Sequence, residues 1–333
     1  MYESMNDVYE QVRRIISPVY MVGGSVRDAL MGVEPKDYDF ITPHEPDTVE
    51  QSIRSAGRKP FLTGKRFGTV GVKIGGHLVE ITTFRTERYR EGSRKPDVEF
   101  VTDIAADLSR RDFTINAMAI KNGEVIDPFN GRRDIEQKIV RCVGDASARF
   151  IEDPLRMLRA ARFSAQIGFT VDQAIYDAVR QLGYRIMQVS RERWVGELDR
   201  LLLSPYVDKG LKELMETELL RYIIPELSLQ KWYSGGDIWE ETLGMVLSVP
   251  ADITLRWAAL LCNMARPFYP DDDDTKWPAR PDDNLGSELV IRLGTYLRWS
   301  NKRITAVSLL VKERGEQGSP LNRSVKKSSR GTG

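Results

Sequence analysis

Residues 23–42, GGSVRDALMGVEPKDYDFIT, run from a pair of glycines through a short helical segment into an aromatic, β-branched stretch. "DYDFIT" reads as a strand, in which residues i and i+2 face the same way. Asp37 and Asp39 then stand side by side, with Tyr38 on the opposite face. Adjacent carboxylates repel each other unless positive charge lies between them. Hard oxygen donors of this kind suit Mg²⁺, which takes one or two carboxylates together with substrate phosphates. Two solvated acids at an exposed strand start fit the same spacing, so the residues around them have to decide.

The bulk of the chain sets bounds. Its 333 residues, 41% apolar and 29% charged, describe a globular protein of two or three domains. The net charge of +1 gives no overall argument for a nucleic-acid partner, although a basic groove fits inside a neutral sum. Cys142 and Cys262 form no disulfide framework and suit a reducing, cytoplasmic setting. No apolar run of about 18 residues predicts a membrane span, and the first twenty residues lack a signal-peptide core. His44 and His77 are the two histidines, which disfavours a multi-histidine metal site or a Ser-His-Asp scheme.

The first ~140 residues alternate strand and helix signals. "VYEQVRRII" predicts a helix, "VYMVGG" a strand ending in glycines, and "SVRDALMG" a helix with a glycine stop. "DTVEQSIRSAG" predicts a helix capped by Asp47. "GTVGVKIGGHLVEITTF" predicts a hairpin turning at Gly75 and Gly76. The fold class is α+β, built on one mixed sheet. From Asp145 onward, "DPLRMLRAARFSAQIG", "RERWVGELDRLLL" and the segments after them suit helices, so the rest is all-α. Residues 267–285, rich in Asp and Pro, predict a loop or insertion. Residues 316–333 predict a disordered basic tail.

Further motifs follow the acid pair. Glu80 in "HLVEITTF" supplies a third carboxylate if its strand flanks that pair, although a lone strand acid is commonly solvent-facing. In "RRDFTINAMAI", Arg110 and Arg111 offer planar forks for phosphate oxygens. Asp112 suits a ribose hydroxyl, and Asn116 a ribose or triphosphate. Asp127, Gly131 and Asp134 in "DPFNGRRDIEQK" read as turn chemistry with a structural role. In "EDPLRMLRAARF", Asp153 is a candidate N-cap and Pro154 suits the first helical position. Arg156, Arg159 and Arg162 recur every three residues, as solvated arginines would. A sharper reading comes from base chemistry. Cytosine and adenine both present an amino donor beside a ring-nitrogen acceptor, and uracil and guanine present the reverse. A fixed carboxylate beside a fixed guanidinium matches the first pair and leaves groups unpaired against the second. Asp153 and Arg156, one turn apart, have those types. Arg191 and Arg193 in "SRERWVGELDRLLLS" suit phosphates or a bracing role, and an amphipathic helix explains them equally.

Taken in order, "GGSVRDALMG…DYDF", "GKRFGTVGV", "VEITTFRTERY", "RRDFTINAMA", "DPFNGRRDI", "EDPLRMLRAARF" and "RERWVGEL" resemble the class II tRNA nucleotidyltransferases, the CCA-adding enzymes and their poly(A) polymerase relatives. The resemblance is dense over residues 18–205 and thin afterwards. It implies a DNA polymerase β-like nucleotidyltransferase head over residues 1–140, a helical neck over 141–205, a body and short tail over 206–315, and the basic tail. It implies template-independent addition of CMP, CMP and AMP to tRNA from CTP and ATP. An A-adding, CC-adding or poly(A)-adding enzyme is the alternative, and a silent nucleotide- or RNA-binding protein the alternative of another class. By the family pattern, Asp37 and Asp39 bind Mg²⁺ and Glu80 is the third catalytic carboxylate. Gly23, Gly24, Ser25 and Arg27 hold the triphosphate, with Arg111, Asp112, Asn116, Arg159 and Arg191 also at the nucleotide, and Asp153 and Arg156 read the base. "RTERYREGSRKPDVEF" takes the place of a flexible loop typical of complete CCA-adding enzymes. Some relatives carry a metal-dependent HD phosphohydrolase domain. Here Cys262, Asn263 and Glu241 stand where its ligands would be, so no second metal site is expected.

Overall fold

The computed structural model describes residues 3–35, 37–88, 97–232, 237–268 and 284–317. Two compact units follow one another, Met1–Glu152 and Asp153–Gly333.

The first unit opens on α1, Glu3–Ile15, which buries Met5, Val8, Tyr9 and Val12 at the i, i+3, i+4 and i+7 spacing of one helix face. The helix starts ahead of the predicted "VYEQVRRII" because Met5 extends that apolar stripe by a turn. Then come β1 (Tyr20–Val22), α2 (Gly24–Leu30), β2 (Tyr38–Thr42) and α3 (Pro46–Ser55). The cap of α3 is Glu45 and not Asp47, since Pro46 fixes the backbone for the first turn and places Asp47 inside it. The strands β3 (Thr69–Ile74) and β4 (His77–Thr83) form the expected hairpin. Its two-residue loop, Gly75 and Gly76, has positive φ at both positions, which only glycine adopts freely. After them run β5 (Arg85–Arg88), β6 (Asp97–Phe100), α4 (Ile104–Ser109), β7 (Ala119–Lys121), β8 (Glu124–Ile126), α5 (Gly131–Gln137) and α6 (Ala146–Glu152).

Six strands make one sheet in the order β3-β4-β2-β1-β7-β8. The β2–β4 pair is parallel and the others are antiparallel, so the sheet is mixed. Tyr38, Phe40, Val70, Val72, Val79 and Ile81 face α1 and α3 in the main core. Period-2 alternation turns Asp39 and Ile41 to the other face, where Val22, Ile41, Phe84, Leu108 and Ala119 form a smaller cluster. The acidic strand end thus lies on the more thinly covered face of the sheet.

The second unit is helical, though not purely so as expected, since Thr170–Val171 forms a two-residue strand: α7 (Leu155–Ile167), α8 (Gln173–Leu182), α9 (Arg191–Leu202), α10 (Val207–Glu216), α11 (Leu220–Ile223), α12 (Pro225–Ser228), α13 (Ile238–Ser248), α14 (Ile253–Leu261), α15 (Asn284–Tyr296) and α16 (Asn301–Gln317). Helix α7 packs on α9 and α10. A Cβ on Gly210 would lie 2.7 Å from the Ala161 carbonyl, so glycine permits that close approach. Asp199 of α9 accepts from Trp257 of α14 at 2.7 Å and from Arg303 of α16 at 2.6 and 2.9 Å. The predicted loop over 267–285 and tail over 316–333 lie mostly outside the described residues, as does the centre of "RTERYREGSRKPDVEF". At their edges the helices run further than expected, α15 from Asn284 and α16 to Gln317. No helix among the described residues is long and apolar enough to cross a membrane.

Candidate active site

Strand β2 begins at Tyr38, so Asp37 sits at the bend entering it and not within it. Asp37 and Asp39 are both exposed, while Tyr38 and Phe40 are buried. The parallel register sets Asp39 directly beside Glu80 of β4. Atoms packed around the Asp39 carboxylate displace part of its hydration, although its surface stays open. That loss, then repulsion from Glu80, raises its pKa, with Asp37 adding to the rise and Arg111 opposing it. Three carboxylates that feel one another in this way make a negative locus of hard oxygen donors. Among the described residues no three acidic, thiol or imidazole groups close into a metal cage. Hard carboxylate oxygens of this kind suit a divalent cation held by one or two carboxylates and completed by other oxygens.

The turn before α2 borders this locus. Gly23 has φ +71°, and a Cβ on it would lie 3.3 Å from Arg111 Nη1 and 3.9 Å from Asp39 Oδ2. The backbone conformation thus favours glycine, and any side chain there would press on the guanidinium. The buried Ser25 donates its hydroxyl to the Val22 carbonyl at 2.8 Å. The buried Arg27 donates to Asp28 at 2.7 and 2.9 Å and to Asn116 Oδ1 at 2.9 Å. Asn116 in turn donates to Asp112 at 3.2 Å. Arg27, Asn116 and Asp112 therefore form one chain of hydrogen bonds running from the turn to the RRDFTIN segment.

Arg111 is held by the Asn116 carbonyl and by Asp107, both at 3.4 Å. Burial lowers its pKa, and Asp107 counteracts that shift. Sequence reasoning missed Asp107, yet its signal was present: it precedes Arg110 and Arg111 by three and four residues, the spacing of neighbours on a helical turn. The DPFNGRRD segment braces the same region. Asp127 accepts from the Gly131 and Arg132 amides at 2.7 and 3.0 Å, and the buried Asp134 accepts from Thr114 at 2.6 Å.

In the second unit, Pro154 occupies the N-cap of α7, and Asp153 lies one residue earlier. Asp153 still serves the helix start, accepting from the Leu155 amide at 3.1 Å. Its other oxygen takes Arg193 of α9 at 2.8 Å, a partner forty positions away in sequence. Arg156 and Arg162 are buried, contrary to the solvated arginines that a three-residue spacing suggests. Helix α7 is enclosed on most sides, and Arg162 is neutralised by Glu197 at 2.5 Å. Arg159 lies 5.7 Å from the Phe163 ring. Arg191 is placed between the Trp194 and Tyr296 rings, at 4.2 and 4.8 Å, and donates to the Met187 and Val189 carbonyls at 3.1 Å. Its guanidinium is engaged in packing. In the stretch set against the HD ligands, Cys262 is buried, Asn263 donates to Thr242 at 3.1 Å, and Glu241 pairs with Arg266.

A family model described as the poly A polymerase head domain matches residues 19–141. Another, described as the probable RNA and SrmB-binding site of polymerase A, matches residues 168–230. A CCA-adding enzyme of Leuconostoc citreum is 40% identical over 227 residues, which cover 68% of this chain and 55% of the relative. One from Bacillus pumilus is 45% identical over 202 residues, 60% of this chain and 50% of the relative. The chain thus spans about half the length of these curated relatives. In structure it is similar to the Bacillus stearothermophilus CCA-adding enzyme in complex with CTP, with a TM-score of 0.62 at 28% identity, covering 98% of this chain and 81% of that one.

Proposed function

Because the chain belongs to the family of class II tRNA nucleotidyltransferases and poly(A) polymerases, we propose that it adds CMP, CMP and AMP to the 3′ end of tRNA from CTP and ATP, without a nucleic-acid template. The observation that carries this reading is the pairing of Asp39 with Glu80 on parallel strands, beside the Gly23 turn and Arg111.

Asp37 and Asp39 would hold Mg²⁺, with Glu80 as the third carboxylate. Held by these carboxylates, the ion would supply Lewis-acid polarisation of the phosphoryl group and favour ionisation of the attacking hydroxyl. The Gly23 and Gly24 amides face the phosphates, as backbone N–H groups at such a turn suit anions. Arg111 offsets the negative charge that the triphosphate brings to an acidic locus. Asp112, fixed by Asn116, accepts from a ribose hydroxyl. Ser25 and Arg27 hold the turn through Val22, Asp28 and Asn116, and the guanidinium, which has five donors, also serves the triphosphate. Asp153 and Arg156 read the base, the carboxylate accepting from the amino group shared by cytosine and adenine, with Arg193 fixing that carboxylate. Residues 1–140 serve as the head, 141–205 as the neck and 206–315 as the body and tail.

Incubation of the protein with tRNA lacking its last three nucleotides, with each labelled NTP singly and together, tests the reading. Two CMP followed by one AMP is the expected product. Extension by cytidine alone, adenosine alone or a long adenosine tract assigns the narrower specialists. No incorporation at all, with tRNA still bound, assigns a silent binding protein.

A further inference from the structure

We infer that Asp107 is a positioning residue that aims the Arg111 guanidinium at the Gly23 turn, where the phosphates of the incoming nucleotide would lie. The inference rests on the proposed reading of Arg111 as a phosphate contact.

Asp107 has no exposed surface. A buried carboxylate persists only where it is paired and hydrogen-bonded, and here four donors converge on it. Oδ1 accepts from Arg110 Nη2 at 2.8 Å, from Arg110 Nε at 3.1 Å and from the Arg85 amide at 3.1 Å. Oδ2 faces Arg111 Nη2 at 3.4 Å. One carboxylate thus anchors two adjacent guanidinium groups that would otherwise repel each other. Arg110 closes the clamp by donating to the Arg85 carbonyl at 2.9 Å.

The two arginines differ in what they have left. Arg110 is saturated on the side of Asp107. Arg111 makes two long bonds of 3.4 Å, and its Nε is buried with no hydrogen-bond partner. Its Nη1 lies 3.3 Å from the place a Gly23 Cβ would occupy. The group is therefore aimed at the turn and held there by long bonds rather than by a saturated pair. The single charge of Asp107 is shared between two guanidinium groups. A purely structural Asp107, tying α4 to the root of β5 through Arg85, would explain the Oδ1 bonds but not the placement of Arg111.

The test uses the full chain with Asp107→Asn, which keeps side-chain size and removes the charge. It reads kcat and KM for CTP on tRNA lacking CCA, and calorimetric binding of inorganic tripolyphosphate. KM is expected to rise about tenfold and kcat to stay within about threefold, with a parallel loss of tripolyphosphate affinity. In an Arg111→Ala background, Asp107→Asn should add less than about twofold, because its effect passes through Arg111. Unchanged KM and tripolyphosphate affinity, with only a lower melting temperature, would overturn the inference. So would an undiminished loss in the Arg111→Ala background. If Asp107→Asn does not fold, the pair Asp107→Asn with Arg110→Gln keeps the same net charge, and the same comparisons decide. A wild-type chain that adds no nucleotide refutes the proposed function instead, and the tripolyphosphate measurements still decide the role of Asp107.

Discussion

Replacing Asp39 with Asn should abolish nucleotide addition and, without divalent cation, make the protein more stable. Asp39 loses hydration to the atoms packed around it, stands beside Glu80 in register and feels Asp37, and the sum raises its pKa despite the pull of Arg111. A folded-state value above the unfolded one means that the ionised form is the penalised form. The penalty is absent where the carboxyl is protonated in both states. It grows as pH rises from the ordinary carboxylate range through the raised value, and it is complete above that. Like charges opposed across a strand pair cost about 0.2–1 kcal/mol, and the open surface of Asp39 keeps the figure in that low range through solvent screening. In a unit of this size that corresponds to a melting temperature higher by roughly 0.4–4 °C. Thermal melts of wild type and Asp39→Asn at pH 7.5 in EDTA measure it, and a series toward pH 4 should see the gap shrink. Millimolar Mg²⁺ should raise the wild-type melting temperature and leave the variant nearly unmoved, since a ligand stabilises only the form that binds it. A variant less stable than wild type at pH 7.5 in EDTA, or a gap that does not close with acid, would refute the account of Asp39 as a carboxylate strained for a cation.

Asp153→Asn keeps an acceptor for the Leu155 amide and weakens both the Arg193 pair and the base readout, so discrimination of CTP from UTP should fall by about one to two decades. Wild-type kcat/KM ratios across the four NTPs would show that Asp153 serves only the helix start. Gly131→Ala would place a Cβ 2.3 Å from the Thr114 carbonyl, a backbone clash that should cost about 1–3 kcal/mol in a denaturant titration. Glu197→Ala removes the carboxylate that neutralises the buried Arg162 and should cost about 3–5 kcal/mol, whereas replacing both partners with apolar residues should cost much less.

What was legible in the sequence is what short-range geometry determines. The Gly75–Gly76 hairpin could be read because a two-residue loop with positive φ at both positions selects glycine. The outward turn of Asp39 could be read because strand alternation is local, and the buried Tyr38 and Phe40 on either side leave it no other face. The helix starts were less legible, since Pro46 outranks Asp47 and Pro154 outranks Asp153 once the backbone is fixed by a proline ring. The partners of charged side chains were scarcely legible at all. Arg162 sits on a three-residue repeat that looks solvated, and only the packing of α7 against α9 puts Glu197 beside it. Arg191 has Trp194 within a turn, but the second ring over it comes from Tyr296, far along the chain. Asp153 meets Arg193 in the same way, across forty positions of sequence. A carboxylate's face follows from its own strand, whereas the cation that makes it useful is delivered by the tertiary fold. Asp107 is the exception that shows the rule, for its two arginines lie within one helical turn, and the clamp at the candidate site was written in five consecutive residues.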